Sequence, residues 1–249
     1  MPGVRQPAVA GTFYPGFGPA LRAAVNRYLP EPVPVSPVPK ALIVPHAGYV
    51  YSGPVAGSAY ALLEPARAAI RRVILIGPSH RVGFSGIAAT RASAFRTPLG
   101  DVPVDGRSVD VLLSLPMVRI VEEAHAHEHS LEVQLPFLQA VLSGFSIVPL
   151  LTGTVSDEEV ARALQATWDG PDTLIVVSTD LTHYLPYAVA ADVDARTASA
   201  VVNLNPDAIG DDAACGHDAL RGMLIAARRN GLRVRQVDLR NSGDTAGPR

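Results

Sequence analysis

Four stretches of the chain open as continuous aliphatic runs: ALIVPH (41–46), RVILIGPSH (72–80), FSIVPLLTG (145–153) and TLIVVSTDLTH (173–183). A strand with one wet face alternates apolar and polar positions, so an unbroken run fits a strand buried on both faces of a sheet. Between and around them, residues 53–70, 129–143, 156–168, 189–202 and 216–229 read as helices, with an earlier short helix near 18–29. RVRQVDL (233–239) reads as a late strand. The alternation predicts an α/β fold with a mostly parallel central sheet and helices on both faces. Residues 84–105 break the rhythm: GIAAT and AFRTPLGDVPVD read as short strands with a Pro/Gly turn, a hairpin beside the main sheet.

The stretch PEPVPVSPVP (30–39) excludes a helix, because proline removes donors and restricts the residue before it. It is an extended connector too short to separate two domains, so residues 1–249 are expected to form one. Composition agrees with a folded core: 48% of residues are hydrophobic and 18% charged, which excludes disorder as the main state. Basic and acidic residues number 21 and 23 and neither is massed in a block, which argues against nucleic acid or an anionic membrane as the partner. Residues 41–63 lack charge and could span a bilayer, but their prolines and glycines favour a strand, a tight loop and a helix. No signal peptide is visible, and one cysteine cannot form an intramolecular disulfide, so a cytoplasmic location is expected.

Candidate chemistry gathers where strands end. Three of the four runs lead into a histidine: His46, His80 and His183. Ligand sites in open parallel sheets lie outside the carboxyl ends of strands, and neutral imidazoles there are good ligands for first-row metals. Each histidine alone also reads as a plain hydrogen-bonding residue. Asp180, three residues before His183, could orient an imidazole. Cys215 opens CGHDAL just before a helix, where the helix N-terminus favours the thiolate; an inert buried cysteine is the competing reading. His217 beside it reads as an exposed helix residue. In EEAHAHEHSLEVQLPFL (122–138), His125, His127 and His129 would share one face of an extended segment. His129 is assigned to the pocket and the other two to structure, Ser130 to a helix cap, and Pro136 to a kink or the true helix start. P-loop, dinucleotide-binding GxGxxG, HExxH, CxxC and GxSxG patterns are absent.

The blocks VRQPAVAGTFYP (4–15), VPHAGYVYSG (44–53), ILIGPSH (74–80), EHSLEVQLPFL (128–138), STDLTHY (178–184) and CGHDAL (215–220) resemble the MEMO family, whose microbial members are called AmmeMemoRadiSam system protein B. The resemblance implies a fold similar to the class III extradiol dioxygenases, whose non-haem iron is held by two histidines and a glutamate. On that pattern His46 and His80 match the histidine ligands and Cys215 falls at the carboxylate position. His183 matches the acid–base histidine, with Asp180 beside it, and His129 belongs to the pocket wall. A thiolate in place of a carboxylate softens the site and favours Fe(II), Zn(II) or Cu(I). Family members continue into a final VVGY-like strand, whereas this sequence stops at NSGDTAGPR, so that strand is expected to be missing.

Three functions follow as expectations. The first is a metal-dependent oxidoreductase, dioxygenase-like, using Fe(II) on an unknown small substrate, with His183 moving protons. The second is a zinc hydrolase built on a His2Cys site. The third is a non-catalytic protein that handles metal or binds a peptide or partner in the strand-end cleft. For this last reading the resemblance implies radical SAM and AMMECR1-like partner proteins.

Overall fold

The continuous aliphatic runs become strands covered from both sides. The computed structural model describes residues 3–31, 37–168 and 170–247. β1 (Val4–Arg5) precedes α1 (Gly18–Tyr28), and β2 (Ala41–Val44) leads into α2 (Tyr49–Tyr60), prolonged by a 3-10 segment at Ala61–Ala66. β3 (Arg72–Pro78) is followed by β4 (Ile87–Ala89), β5 (Ala94–Thr97) and β6 (Gly100–Pro103). Next come α3 (Gly106–Leu112), β7 (Val118–Ile120), α4 (Glu122–Ala126) and α5 (Leu135–Val141). The rest alternates as β8 (Ser146–Thr152), α6 (Asp157–Ala166), β9 (Thr173–Ser178), α7 (Tyr187–Val202) and α8 (His217–Arg229).

Six strands form the main sheet in the order β2-β9-β3-β8-β4-β7. The three long central pairings are parallel, and β4 runs antiparallel to β8. Side chains along β3 divide by parity. Val73 and Leu75 join a core with Leu21 and Val25 of α1, Tyr60 of α2 and Phe137 of α5. Ile74 and Ile76 join a second core with Leu112 of α3, Leu164 of α6 and Leu224 of α8. Two apolar faces need two helical layers, so the fold is a single α/β domain with helices on both sides. Among the described residues no helix is long and apolar enough to cross a membrane.

The expected hairpin is β5–β6, which joins β1 in a separate three-stranded sheet, while GIAAT becomes β4 of the main sheet. Other expectations need correction. The helix placed at 53–70 starts at Tyr49, whose N–H is satisfied by the Phe13 carbonyl at 2.8 Å, so the N-terminal segment does the work of a cap. The stretch 129–143 splits into a 3-10 turn at Glu132–Gln134 and α5, with Pro136 in the first turn of α5, where its missing N–H costs nothing. Ser130 does not cap; its hydroxyl donates to the Pro78 carbonyl. The connector at 30–39 falls largely on residues 32–36, outside the described residues.

RVRQVDL is not a strand. A ladder needs a neighbouring backbone about 4.8 Å away. This segment and the free edge of β2 instead both line one cavity of about 1800 Å³.

Helices α1 and α2 meet at a glycine. A β-carbon on Gly57 would overlap the carbonyl of Tyr28, the last residue of α1. Gly57→Ala is therefore expected to lower the unfolding free energy by about 1–3 kcal/mol through overpacking. Urea unfolding measures this, and an unchanged midpoint would mean that the two helices part without cost.

Candidate metal centre

Parallel register sets the site. Val44 of β2 pairs with Ser178 of β9, and Ile76 of β3 pairs with Val177, so the three strands end at one level. The residues just beyond those ends, His46, His80 and Asp180, emerge together. Cys215 comes from the loop before α8 and is tied to the same place by two reciprocal bonds. Its N–H donates to the Asp180 carbonyl at 3.2 Å, and the Asp180 N–H donates to Sγ at 3.3 Å.

His46, His80 and Cys215 each bring one potential ligand atom, all within 4.8 Å of one another. His46 is buried, Cys215 half-buried and His80 open to the cavity. Neighbours decide which ring nitrogen each imidazole offers. Ser178 spends its only proton on the Ser130 carbonyl at 2.6 Å and accepts from Gln134 Nε2 at 2.9 Å. Its 3.0 Å contact with His46 Nδ1 must then be donated by the ring, which leaves Nε2 facing Cys215 Sγ at 3.2 Å. His80 Nδ1 lies 2.9 Å from a Glu128 carboxylate oxygen, an acceptor only, so Nδ1 donates and Nε2 is its free nitrogen.

Charge follows from this packing. Burial alone would push the Cys215 thiol up, but hydrogen bonds from His46 and His80 outweigh it and bring the pKa down to about 5. Burial likewise opposes a charged His80, yet its bonds to Cys215 and Glu128 hold its pKa up at about 10. For His46, burial is offset by the Asp180 charge and Cys215, and the net shift is upward. Asp180 stays ionised with a pKa of about 2, because the charge of His46 and the proximity of His183 overcome its burial. A proton on either of these nitrogens would sit where a cation would bind. Two imidazole nitrogens and a thiolate therefore fit a soft or borderline first-row ion.

Asp180 spans the buried and open parts of the site. Its Oδ1 accepts the His46 backbone N–H at 2.7 Å, while Oδ2 lies 3.9 Å from His46 Nε2 and 3.8 Å from His183 Nε2. His183 is 42% exposed in a loop pinned by Asp194 of α7, which accepts from both the N–H and the hydroxyl of Thr182. Asp180 raises the His183 pKa. Tyr184, next in the chain, has a φ of +58° and is fully exposed at the cavity mouth. His129 stacks on His80 with ring centroids 4.6 Å apart and touches Phe13 edge-on.

All six residues singled out in the sequence thus line one cavity: His46, His80, His129, Asp180, His183 and Cys215. The other histidines lie elsewhere. The 125–129 tract is not extended, since α4 ends at Ala126. His125 is buried against the Ala88 carbonyl and depressed by burial to a pKa of about 4, whereas His127 is exposed. His217, only partly exposed, faces Asp218 at 3.2 Å. Sequence reasoning missed Glu128, Ser178 and Gln134, which orient the two imidazoles. Glu128 stood in plain view among the histidines of the tract. It also missed Glu132, fully buried and paired with Arg5, which accepts from the N–H groups of Ala8 and Val9 and from Tyr14 Oη. Arg5 in turn binds the carbonyls of His125 and Glu128.

These features define an α/β protein with a His2Cys cluster at the carboxyl end of a parallel sheet. The sequence model for the Memo-like protein family matches residues 5–249, and the chain belongs to that family. It is 35% identical to a MEMO1 family protein of Methanococcoides burtonii, over 98% of this chain and 95% of the relative. A MEMO1 family protein of Aquifex aeolicus is 36% identical over 98% and 94% of the two chains. One from Aeropyrum pernix is 34% identical over 98% and 95%.

A depressed thiol pKa leaves the thiolate present at neutral pH and removes it only in acid. In metal-free protein the thiolate ultraviolet absorbance of Cys215 should persist at pH 7 and disappear as pH falls through about 5. Cys215→Ser should lack the transition. A midpoint near the ordinary thiol value would show that the imidazoles do not hold the charge.

Proposed function

We propose that the protein is a metal-dependent oxidoreductase, dioxygenase-like, in which His46, His80 and Cys215 hold Fe(II) and a small substrate enters the strand-end cavity. The observation that carries this reading is the convergence of His46 Nε2, the free nitrogen of His80 and Cys215 Sγ, with both imidazole tautomers fixed from behind. A bound iron(II) ion would supply one-electron redox chemistry with dioxygen as the oxidant. Cu(I) and Zn(II) suit the same ligands.

The remaining chemistry belongs to the chain. His183 stands between Asp180 and the open cavity, so its Nε2 is the group placed to exchange a proton with a bound ligand. Asp180 raises the His183 pKa and so favours the proton on that imidazole, which suits His183 to give a proton to a bound ligand and take it back. His46 is buried and Cys215 half-buried, so the more exposed His80 side is the approach left for substrate.

A second reading draws on size. The cavity of about 1800 Å³ exceeds the roughly 300–1,000 Å³ usual for small-molecule sites, and Val50, Tyr51, Tyr184, Leu185 and Tyr187 expose apolar surface along it. That suits a peptide or partner protein, including radical SAM or AMMECR1-like partners, with the metal serving a binding or handling role. A zinc hydrolase on the same three ligands is the alternative that metal content separates.

Anaerobic titration with Fe(II), Zn(II) and Cu(I), beside elemental analysis of fresh protein, decides among these. Tight Fe(II) binding lost in His46→Ala and Cys215→Ser is the expected result. Stoichiometric zinc with air-stable hydrolysis would replace it with the hydrolase. His183→Ala should keep the metal and lose about 10²- to 10⁴-fold in turnover. Turnover unchanged in that variant would remove His183 from the chemistry.

A further inference from the structure

Glu128 is 2% exposed, a carboxylate held inside the protein behind the His80 ring. One oxygen accepts the His80 backbone N–H at 2.6 Å. The other accepts His80 Nδ1–H at 2.9 Å and the backbone N–H groups of His129 and Ser130 at 2.8 and 2.9 Å. His129 Nδ1 lies 3.1 Å from the same oxygen but out of line for a hydrogen bond. So many donors leave the carboxylate no freedom to turn, and its carbonyl is gripped in addition by Arg5.

The two imidazoles of the cluster are backed differently. His46 donates Nδ1–H to a neutral hydroxyl, that of Ser178, whereas His80 donates to a full negative charge. A carboxylate behind an imidazole fixes its orientation and raises the basicity of the opposite nitrogen; a hydroxyl does the first and little of the second. His80 also needs the support more, because its side chain is 30% exposed, while that of His46 is 1% exposed.

We propose that Glu128 is the positioning residue of the metal centre, locking His80 with Nε2 free toward Cys215 and making that nitrogen the stronger imidazole donor of the two. The proposal rests on the reading that His46, His80 and Cys215 hold a metal. It adds an asymmetry between the two histidines that ligand identity alone does not contain.

The test uses the full chain, Zn(II) as the probe and a competing chromophoric chelator. Glu128→Ala strips the partner from three backbone N–H groups and is expected to destabilise the fold, so the informative variant is Glu128→Gln, which keeps the size and one acceptor oxygen but loses the charge. Glu128→Gln should bind Zn(II) about 10- to 100-fold more weakly than wild type, with a smaller loss for Ser178→Ala. Long-range proton–nitrogen NMR of the zinc-loaded wild type needs no variant. It should show His80 protonated at Nδ1 and metal-bound at Nε2, a signature that a merely structural role for Glu128 would not fix. Zinc bound through Nδ1 of His80, or an affinity unchanged in Glu128→Gln, overturns the proposal alone. A second equivalent of zinc taken up by His80, Glu128 and His129 and abolished in Glu128→Gln also overturns it. Folded wild type that binds no zinc, iron or copper overturns it together with the metal reading.

Discussion

The parallel pairing of β2, β9 and β3 is the constraint on which the rest of the molecule depends. Parallel strands joined by right-handed crossovers all point the same way, so their carboxyl ends form one edge and the loops that leave it are neighbours in space. Here the register brings Val44, Ser178 and Pro78 to that edge. Helices cover the two faces of the sheet but not its end, which leaves the loops free to carry polar side chains without opening the cores. Ser178, the last residue of the middle strand, then reaches His46 from one side and the Ser130 carbonyl from the other.

At that edge the protein concentrates negative charge. Cys215, Asp180 and Glu128 lie within one cluster, and an isolated buried anion would cost several kcal/mol. Each is compensated locally. Imidazoles answer the thiolate, Asp180 accepts a backbone N–H and faces two histidines, and Glu128 is met by backbone N–H groups and His80. For Glu128 these bonds overcome burial and hold its carboxyl far below the usual carboxylate range. The arrangement suits a centre that exchanges protons for a cation, because the same lone pairs serve both.

A second buried carboxylate supports the first from a distance. Glu132 gathers Arg5, Tyr14 and two backbone N–H groups, so the N-terminal segment is clasped against the chain that carries Glu128. The clasp brings Phe13 to the cavity wall and to the edge of His129. It pushes the Tyr14 hydroxyl strongly upward, through burial first and the Glu132 charge next. Residues far from the candidate ligands thereby fix the shape of the space in front of them.

Sequence alone determined the layered α/β fold, because short, β-branched aliphatic runs that alternate with helical stretches fit strands of a sheet covered on both faces. It also pointed to His46, His80, Asp180 and His183, since a histidine or aspartate that follows such a run leaves at the carboxyl end of a strand. Cys215 was legible only as a candidate, for it sits on no strand, and hydrogen bonds with Asp180 place it. RVRQVDL has the composition of a strand but pairs with no strand among the described residues, a matter of position that composition does not encode. Glu128, Ser178 and Gln134 were invisible as orienting residues for the same reason. A hydrogen bond between His80 and Glu128 joins residues 48 apart in the chain, and only the tertiary structure decides which nitrogen of an imidazole is left free.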